Sequence, residues 1–368
     1  MTELLCGYDD TTTGRPCENP ISDKNSVCAA GHLIPNWMAR VFDGSFRNEE
    51  VSIEFHNFDE EELGLVTTLE DNGPLYHLAE FTDDGLALSD EAIELVRRKS
   101  LSPSTANAMF DCGSRWAIER LLPRSEDPFG PAELGSSAHR AFEKLYDLEP
   151  EARTDEALKN IIRDLHDDKE SSLAVPEEEQ LNKWRWSIYE VAGKIREIEE
   201  PSEVDVVGNE IQADAEVAGV PFGGFVDRLA YVDGKLTVSD FKTGKLPNPR
   251  FPNVGYDEQL RLYVLALREM GHEPEAAELL YTKFGKRHKV DLSESLLSGT
   301  KERFKKAWSI LQEQTESKKF NYKPGALCSW CPAFDSCPGA GGKARHKNAP
   351  VPEVSTRQLG LVHASEKV

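Results

Sequence analysis

Three strand-like segments, the last ending in an Asp-x-Lys triplet, restrict this chain more than any other feature. Val206–Val217, Val220–Val232 and Lys235–Phe241 alternate or cluster apolar residues in short runs. Asp233-Gly234 between the last two is a hairpin signal, because a two-residue turn needs positive φ, which Asp and Gly tolerate. Side chains on a strand alternate between faces. In Ser239-Asp240-Phe241-Lys242-Thr243-Gly244, Asp240 and Lys242 therefore share one face, and Phe241 points to the opposite, packed one. The hairpin brings Asp227, from Gly223-Gly224-Phe225-Val226-Asp227-Arg228, alongside them. Two carboxylates and an ammonium then form one patch at a strand end.

Such a patch suits phosphodiester hydrolysis. Carboxylates are hard oxygen ligands for Mg2+ or Mn2+. A bound metal lowers the pKa of water and offsets charge building on a phosphate. An ammonium beside it orients the attacking water or stabilises the transition state. The alternative is an exposed hairpin carrying a surface salt bridge. Asp-x-Lys alone is common; the Gly-Gly-Phe-Val-Asp strand before it and the Lys-Thr-Gly sequel make the pattern specific.

The rest of the chain sorts into four regions. Residues 1–36 are rich in Cys, Thr, Asn, Pro and Gly, show no helical or strand period, and read as a small loop-rich module. Residues 37–99 read as a linker or small mixed region, in which Phe58–Leu65 fits polar helix or linker and Ser89–Lys99 a helix capped by Ser89. The main domain spans 100–340, and 341–368 reads as a disordered tail. Within the main domain, Ser102-Pro103-Ser104 starts a helix that carries Cys112 in Asn107–Leu121. Glu133–Asp147 is helical, with Leu134, Ala138, Phe142 and Leu145 at core spacing. Residues 153–200 form a charged helical arm. Its Trp184, Trp186 and Tyr189 read as a packing face, with a base-stacking platform as the other reading. Tyr256–Met270 is expected as helix, Glu278–Phe284 and Lys289–Leu292 as strands, and Ser293–Lys318 as a long helix.

Here the sequence resembles a known family. Gly224-Phe225-Val226-Asp227-Arg228 with Asp240-Phe241-Lys242-Thr243-Gly244 is similar to the core of RecB-like exonucleases of the PD-(D/E)xK superfamily, including their CRISPR-associated branch. Gly135-Ser136-Ser137-Ala138-His139 resembles the family's helical histidine motif, and Gln259-Leu260-Arg261-Leu262-Tyr263 its Q-x3-Y motif. The likeness covers roughly residues 100–340 in the right order. It implies an α/β fold with a restriction-endonuclease-like core, a central mixed sheet flanked by helices, here with a helical arm and a small N-terminal Cys/His-rich module. It also implies that His139, Asp227 and Asp240 bind Mg2+ or Mn2+, with the Phe241 carbonyl as a further ligand. Lys242 would be catalytic, and Gln259 and Tyr263 would position substrate or Lys242. Glu210 stands where the family often carries an acid. Glu143, one turn from His139 on the same helical face, either supports the site or is solvated.

The chain has seven cysteines. In a reducing compartment, clustered cysteines point to metal rather than to disulfides. Cys328-x2-Cys331-x5-Cys337, with Cys112 far upstream, supplies the four thiolates that either a [4Fe–4S] cluster or a zinc ion needs. The lone upstream cysteine followed by C-x2-C-x5-C resembles the iron–sulfur staple of AddB-type and CRISPR-associated nucleases, and that resemblance favours the cluster. Such a staple closes a long loop and so stabilises the fold, with Trp330 and Phe334 shielding it. Cys6-x10-Cys17-x10-Cys28-x3-His32 can make a tetrahedral zinc site, although it lacks a C-x2-C knuckle.

A net charge of −22 and a pI of about 4.9 argue against coating nucleic acid through bulk charge. A nuclease needs only a local positive groove, and bound metal supplies part of that charge. Lys283, Lys286, Arg287, His288 and Lys289 form a basic segment that either tracks phosphates or is an exposed turn. No apolar run approaches the roughly 18–20 residues that span a bilayer, and the opening MTELLCGYDD has no leader-like stretch, so a cytoplasmic location is expected. No P-loop motif is present. The expected activity is a metal-dependent DNA exonuclease acting on single strands or ends, 5′ to 3′ the favoured polarity, in recombination, repair, replication or CRISPR adaptation. The expected setting is a bacterial, archaeal or phage-infected cell. Two other readings stand beside it. One is a nuclease subunit dependent on a helicase, recombinase or CRISPR-integration partner; the other is a non-catalytic DNA-binding protein on the same fold.

Overall fold

A computed structural model describes residues 78–122, 127–173, 177–247, 254–340, 345–347 and 349, together with the paired two-residue strands Asp9–Asp10 and Arg15–Pro16. Cys6, Cys17, Cys28 and His32, the expected zinc set, lie outside the described residues, as do Phe58–Leu65 and most of the 341–368 tail. The chain divides into two units, residues 1–69 with 166–182 and residues 70–165 with 183–368. Both sheets described next belong to the second.

In chain order, β1 (Ala79–Phe81) and β2 (Gly85–Leu88) lead to α1 (Asp90–Val96). Ser89 caps α1 by accepting from the Ala92 N–H at 3.2 Å, as its position in sequence predicts. α2 (Pro103–Asp111) starts at Ser102, whose hydroxyl accepts from the Thr105 N–H at 3.2 Å, with Pro103 in the first turn. The expected single helix Asn107–Leu121 is instead two. Cys112 adopts an extended conformation (φ −169°, ψ 110°), and α3 (Gly113–Leu121) begins after it. Tertiary contacts override helix propensity at this point. The Gln314 side chain packs so close to Gly113 that a β-carbon there would stand 2.2 Å from its Oε1, and Ser114 donates to the Phe320 carbonyl at 2.5 Å.

α4 (Pro131–Tyr146), α5 (Asp155–Ser172) and α6 (Glu178–Ala192) make up the helical stretch. β3 (Asp205–Val217), β4 (Val220–Val232) and β5 (Lys235–Lys242) follow as an antiparallel meander. The β4–β5 turn has positive φ at both Asp233 (51°) and Gly234 (74°), the twist-matched hairpin geometry. α7 (Val254–Glu269) crosses over to β6 (Ala276–Tyr281), which pairs parallel to β5. The expected strand through Phe284 stops at Tyr281. Thr282–Phe284 forms a 3-10 turn closed by left-handed Gly285, and the following strand is β7 (Lys286–Lys289), earlier than the expected Lys289–Leu292. α8 (Glu294–Glu316) leads to β8 (Lys319–Asn321).

The central sheet is mixed, in the order β3-β4-β5-β6-β7, and a small sheet has the order β8-β2-β1. One face of the central sheet packs a core containing Trp116, Phe222, Val226, Val238, Leu262 and Phe304, drawn from β4, β5, α3, α7 and α8. The other face packs Phe142, Tyr146, Leu158, Ile162, Trp184, Ile188 and Phe241, with α4, α5 and α6. Phe241 is 3% exposed. Burying such a ring stabilises by about 1.5–3 kcal/mol, and a one-residue slip of β5 would take it out of the Phe142–Tyr146 stack and push the Lys242 ammonium into that core. Thus the core fixes which way Asp240 and Lys242 point.

Candidate functional site

β4 and β5 part company at the site. Arg228 pairs with Ser239, but Asp227 and Asp240, the next residues, leave the ladder. Alternation also breaks on β4, since Val226 and Leu229 both belong to the first core. The Asp227 carboxylate takes over the missing ladder bond and accepts from the Phe241 N–H at 2.8 Å. β3 is irregular opposite this point. Glu210, between the Asn209–Arg228 and Ile211–Val226 pairs, has φ 45° and so faces Asp227 from a left-handed backbone.

α4 supplies the third wall. Ala138 and Ser137 are fully buried, and Gly135 lies within van der Waals reach of Thr243, so small residues let the helix approach the end of β5. His139, Phe142 and Tyr146 form one stripe over Phe241. The Phe142 and Tyr146 rings stack on it at 4.4 and 6.1 Å, and His139 meets its edge at 6.1 Å. This stripe aims His139 Nδ1 at Asp227 Oδ2, 3.3 Å away. His139, Glu210 and Asp227 thereby bring ligand atoms within 4.8 Å of one another.

Asp240 stands outside that triad. It is 2% exposed and faces α7. Gln259 Nε2 donates to its Oδ1 at 3.0 Å and to the Tyr263 hydroxyl at 3.2 Å. Lys242 Nζ lies 2.6 Å from Asp240 Oδ2 in a close ion pair. Tyr256, one helical turn before Gln259, lies under the Lys242 ammonium at 4.3 Å. The sequence reading missed Tyr256, although its place on the stripe of Gln259 and Tyr263 was the available signal. Glu143 is close enough to Glu210 to raise that carboxyl's pKa.

The electrostatics are those of anions crowded in a dry place. Burial and the neighbouring Asp227 charge push the Asp240 carboxyl up to about 6, against the pull of Lys242. Burial and Asp227 likewise raise Glu210. Burial pulls the His139 imidazole down, but its hydrogen bond to Asp227 and the Asp227 and Asp240 charges outweigh this and raise it. A divalent cation would relieve all three. The donor set of one imidazole and two carboxylates, with Asp240 adding to the negative charge beside it, fits Mg2+ or Mn2+. Beside Tyr256 and Gln259 a groove of about 600 Å3 runs between α2–α3 and α7, lined also by Asn107, Arg115 and Arg303.

The four downstream cysteines come together. Cys112, Cys328, Cys331 and Cys337 are free thiols lining one cavity of about 210 Å3 with Arg115, Tyr322 and Phe334. Burial pushes the Cys331 thiol up to about 12, with the neighbouring Cys337 and Cys112 adding to it. Gly325 N–H points at Cys328 Sγ at 3.2 Å. The break at Cys112 delivers its thiol to this cavity.

Other expected features divide. Trp184 is buried in the second core, as a packing residue would be, whereas Trp186 is 64% exposed and meets Tyr189 edge to face. In the basic segment, Arg287 turns inward to Glu199 and Glu278, and His288 pairs with Asp257, leaving Lys283, Lys286 and Lys289 exposed. Arg228 is fully buried with Glu199, Glu278 and Ser239 on the face opposite Asp240. Among the described residues no helix is long and apolar enough to cross a membrane.

Comparison with known proteins places this geometry. The chain is 30% identical over 134 residues to the Gene 69 protein of Mycobacterium phage D29, and 29% identical over 134 residues to that of Mycobacterium phage L5. Each match covers 35% of this chain, which spans about half the length of these curated relatives, 47% and 43% respectively. A crystal structure of a candidate exonuclease from Eubacterium rectale aligns over 73% of this chain and 97% of its own, with 14% identity and a TM-score of 0.44. A profile of the PD-(D/E)XK nuclease superfamily matches residues 100–338, a stretch that holds His139, Glu210, Asp227, Asp240, Lys242, Gln259 and the four clustered cysteines, and the chain belongs to that superfamily.

Proposed function

We propose that the protein is a divalent-metal-dependent deoxyribonuclease that removes nucleotides from DNA ends, with single strands as substrate and 5′ to 3′ as the favoured direction. The observation that carries this reading is the convergence of His139, Glu210 and Asp227 beside the Asp240–Lys242 pair. When bound there, Mg2+ or Mn2+ supplies an activated water and offsets charge on the scissile phosphate. His139, Glu210 and Asp227 would hold the ion, with the Asp240 carboxylate beside them adding negative charge to the site. Lys242, steadied between Asp240 and the Tyr256 ring, orients the attacking water and stabilises charge on the phosphorane-like transition state. Gln259 fixes the Asp240 carboxylate, so its part is positioning. The groove past Tyr256 and Gln259 gives the strand a path, with Arg115 and Arg303 on its wall.

The thiols of Cys112, Cys328, Cys331 and Cys337 hold a [4Fe–4S] cluster in this reading, as a structural tie between α2–α3 and the segment after β8. The cavity that all four thiols line supports it.

The test is a reaction of anaerobically purified protein with Mn2+ and single-stranded DNA labelled at either end, beside Lys242→Ala. Degradation by the wild type and a loss of at least about a hundredfold in the variant are expected, and the label released first reports direction. A folded, metal-replete wild type that leaves DNA ends intact would overturn the reading.

A further inference from the structure

Next to the His139–Glu210–Asp227 triad, one face of the β3–β4 ribbon carries exposed side chains among the described residues. Ala213, Val217, Phe222 and Val226 turn into the first core. The alternate residues of β3, Gln212, Asp214 and Glu216, are exposed and polar. Phe225 breaks that pattern. It stands directly across from Gln212, opposite in direction to its buried neighbour Val226, and is 56% exposed. Gln212 turns its amide to Asp214 at 2.5 Å rather than over the ring.

An isolated apolar side chain on a surface is ordinary. Position sets this one apart. Phe225 lies two residues before Asp227, about 7 Å along the strand, so its ring is within one nucleotide's reach of a phosphate held at the triad. It sits on a paired strand with only two side-chain torsions, which gives a rigid flat surface. One ring is far too small to anchor a protein partner, whose interfaces bury about 800 Å2 per side, but it matches the face of one base.

We propose that Phe225 is the stacking platform of the site: an unpaired base adjoining the scissile phosphate lies on its ring. This rests on the nuclease reading of the triad and deepens it. A base inside a duplex has both faces occupied by its neighbours, so a platform at this place selects single strands and frayed ends without reading sequence. Phe225 acts as a positioning residue, holding the nucleotide while His139, Glu210, Asp227 and Lys242 address the phosphate.

The experiment measures single-stranded oligonucleotide binding in metal-free buffer by anisotropy, for wild type, Phe225→Ala and Phe225→Trp, with thermal melts alongside. It is joined by steady-state kinetics in Mn2+. Base–aromatic stacking predicts about tenfold weaker binding for Phe225→Ala with an unchanged melt, and binding near wild type for Phe225→Trp. KM should rise more than kcat falls. An oligonucleotide series carrying one abasic residue at successive positions should contain one member that wild type and Phe225→Ala bind equally. Equal binding of the intact oligonucleotide by wild type and Phe225→Ala, or a deficit that persists at every abasic position, would overturn the proposal. Because binding is read without metal, a failure of catalysis in the wild type sinks the nuclease reading separately from this one.

Discussion

The Phe241 backbone N–H donates to the Asp227 carboxylate at 2.8 Å, across the point where β4 and β5 stop pairing. One side chain thus serves both the fold and the site. Its Oδ2 satisfies a backbone donor that the sheet has abandoned, and the same oxygen is 3.3 Å from His139. These roles separate by substitution. Asp227→Asn keeps an acceptor for Phe241 but loses the charge, and should melt close to wild type while losing Mn2+ binding by calorimetry. Asp227→Ala loses both, and should in addition lose about 1–3 kcal/mol of stability from the unpaired N–H. If Asp227→Asn binds Mn2+ as wild type does, Asp227 is not a ligand.

Much of this site was legible because strand alternation and helical spacing are local rules. Asp240, Lys242 and Phe241 sit on the faces that a period of two assigns, and Gln259 and Tyr263 meet because they are one turn apart. What escaped depended on where the rules break. The parity break at Asp227 and the left-handed backbone of Glu210, which set these two carboxylates facing each other, follow no regular period. The helix break at Cys112 is imposed by Gln314 and Phe320, some two hundred residues downstream, and no local pattern carries that information. The small β8-β2-β1 sheet escaped because β1 and β2 are only three and four residues long and β2 finds its second neighbour, β8, at the far end of the chain.

Gly224 explains the Gly-Gly of the motif by contact. A β-carbon there would stand 2.9 Å from Cε1 of Tyr263, the ring that shares Gln259 with Asp240. Gly224→Ala should cost about 1–3 kcal/mol through overpacking and lower kcat by displacing α7 from β4. Gly224→Ala combined with Tyr263→Phe keeps the clash and should recover neither, whereas Gly224→Ala with Tyr263→Leu should recover stability. Chemical denaturation of the four proteins checks the assignment, and a single Gly224→Ala variant as stable as wild type would refute it.

The buried charges behind the sheet set the acid limit of the fold. Burial opposes ionisation of Glu199, but Arg228, Tyr146 and Arg287 outweigh it and hold the carboxyl below its ordinary 4.5. Its stabilisation is therefore present above about pH 4.5 and is lost as pH falls through the lower folded value. Glu278 behaves oppositely. Burial raises it despite Arg287 and Arg228, so its contribution is present at low pH and is lost as pH rises through the folded value. Glu199→Gln should lose about 3 kcal/mol at neutral pH, leaving Arg228 undercompensated, and should approach wild type as pH falls through the lowered folded value. Glu278→Gln should be mild at neutral pH. Urea unfolding across this range tests both, and a Glu199→Gln deficit that grows on acidification would contradict the assignment.

The four thiols make a last prediction that needs no substrate. Cys112 reaches the cavity only because α2 ends and α3 begins at it, and Ser114, two residues on, is tied to the Phe320 carbonyl of β8. A group held by Cys112, Cys328, Cys331 and Cys337 therefore cross-links the start of the domain to its end, across a loop long enough for closure to matter. Removing it should loosen α2–α3 and the adjoining groove wall, because Arg115 lines the cavity and the groove together. Anaerobic protein should contain iron and acid-labile sulfide in equal amounts and absorb visible light. Cys112→Ser should lose both and melt lower, with limited proteolysis moving into α2–α3. One equivalent of zinc without sulfide would overturn the cluster and put a single ion in its place.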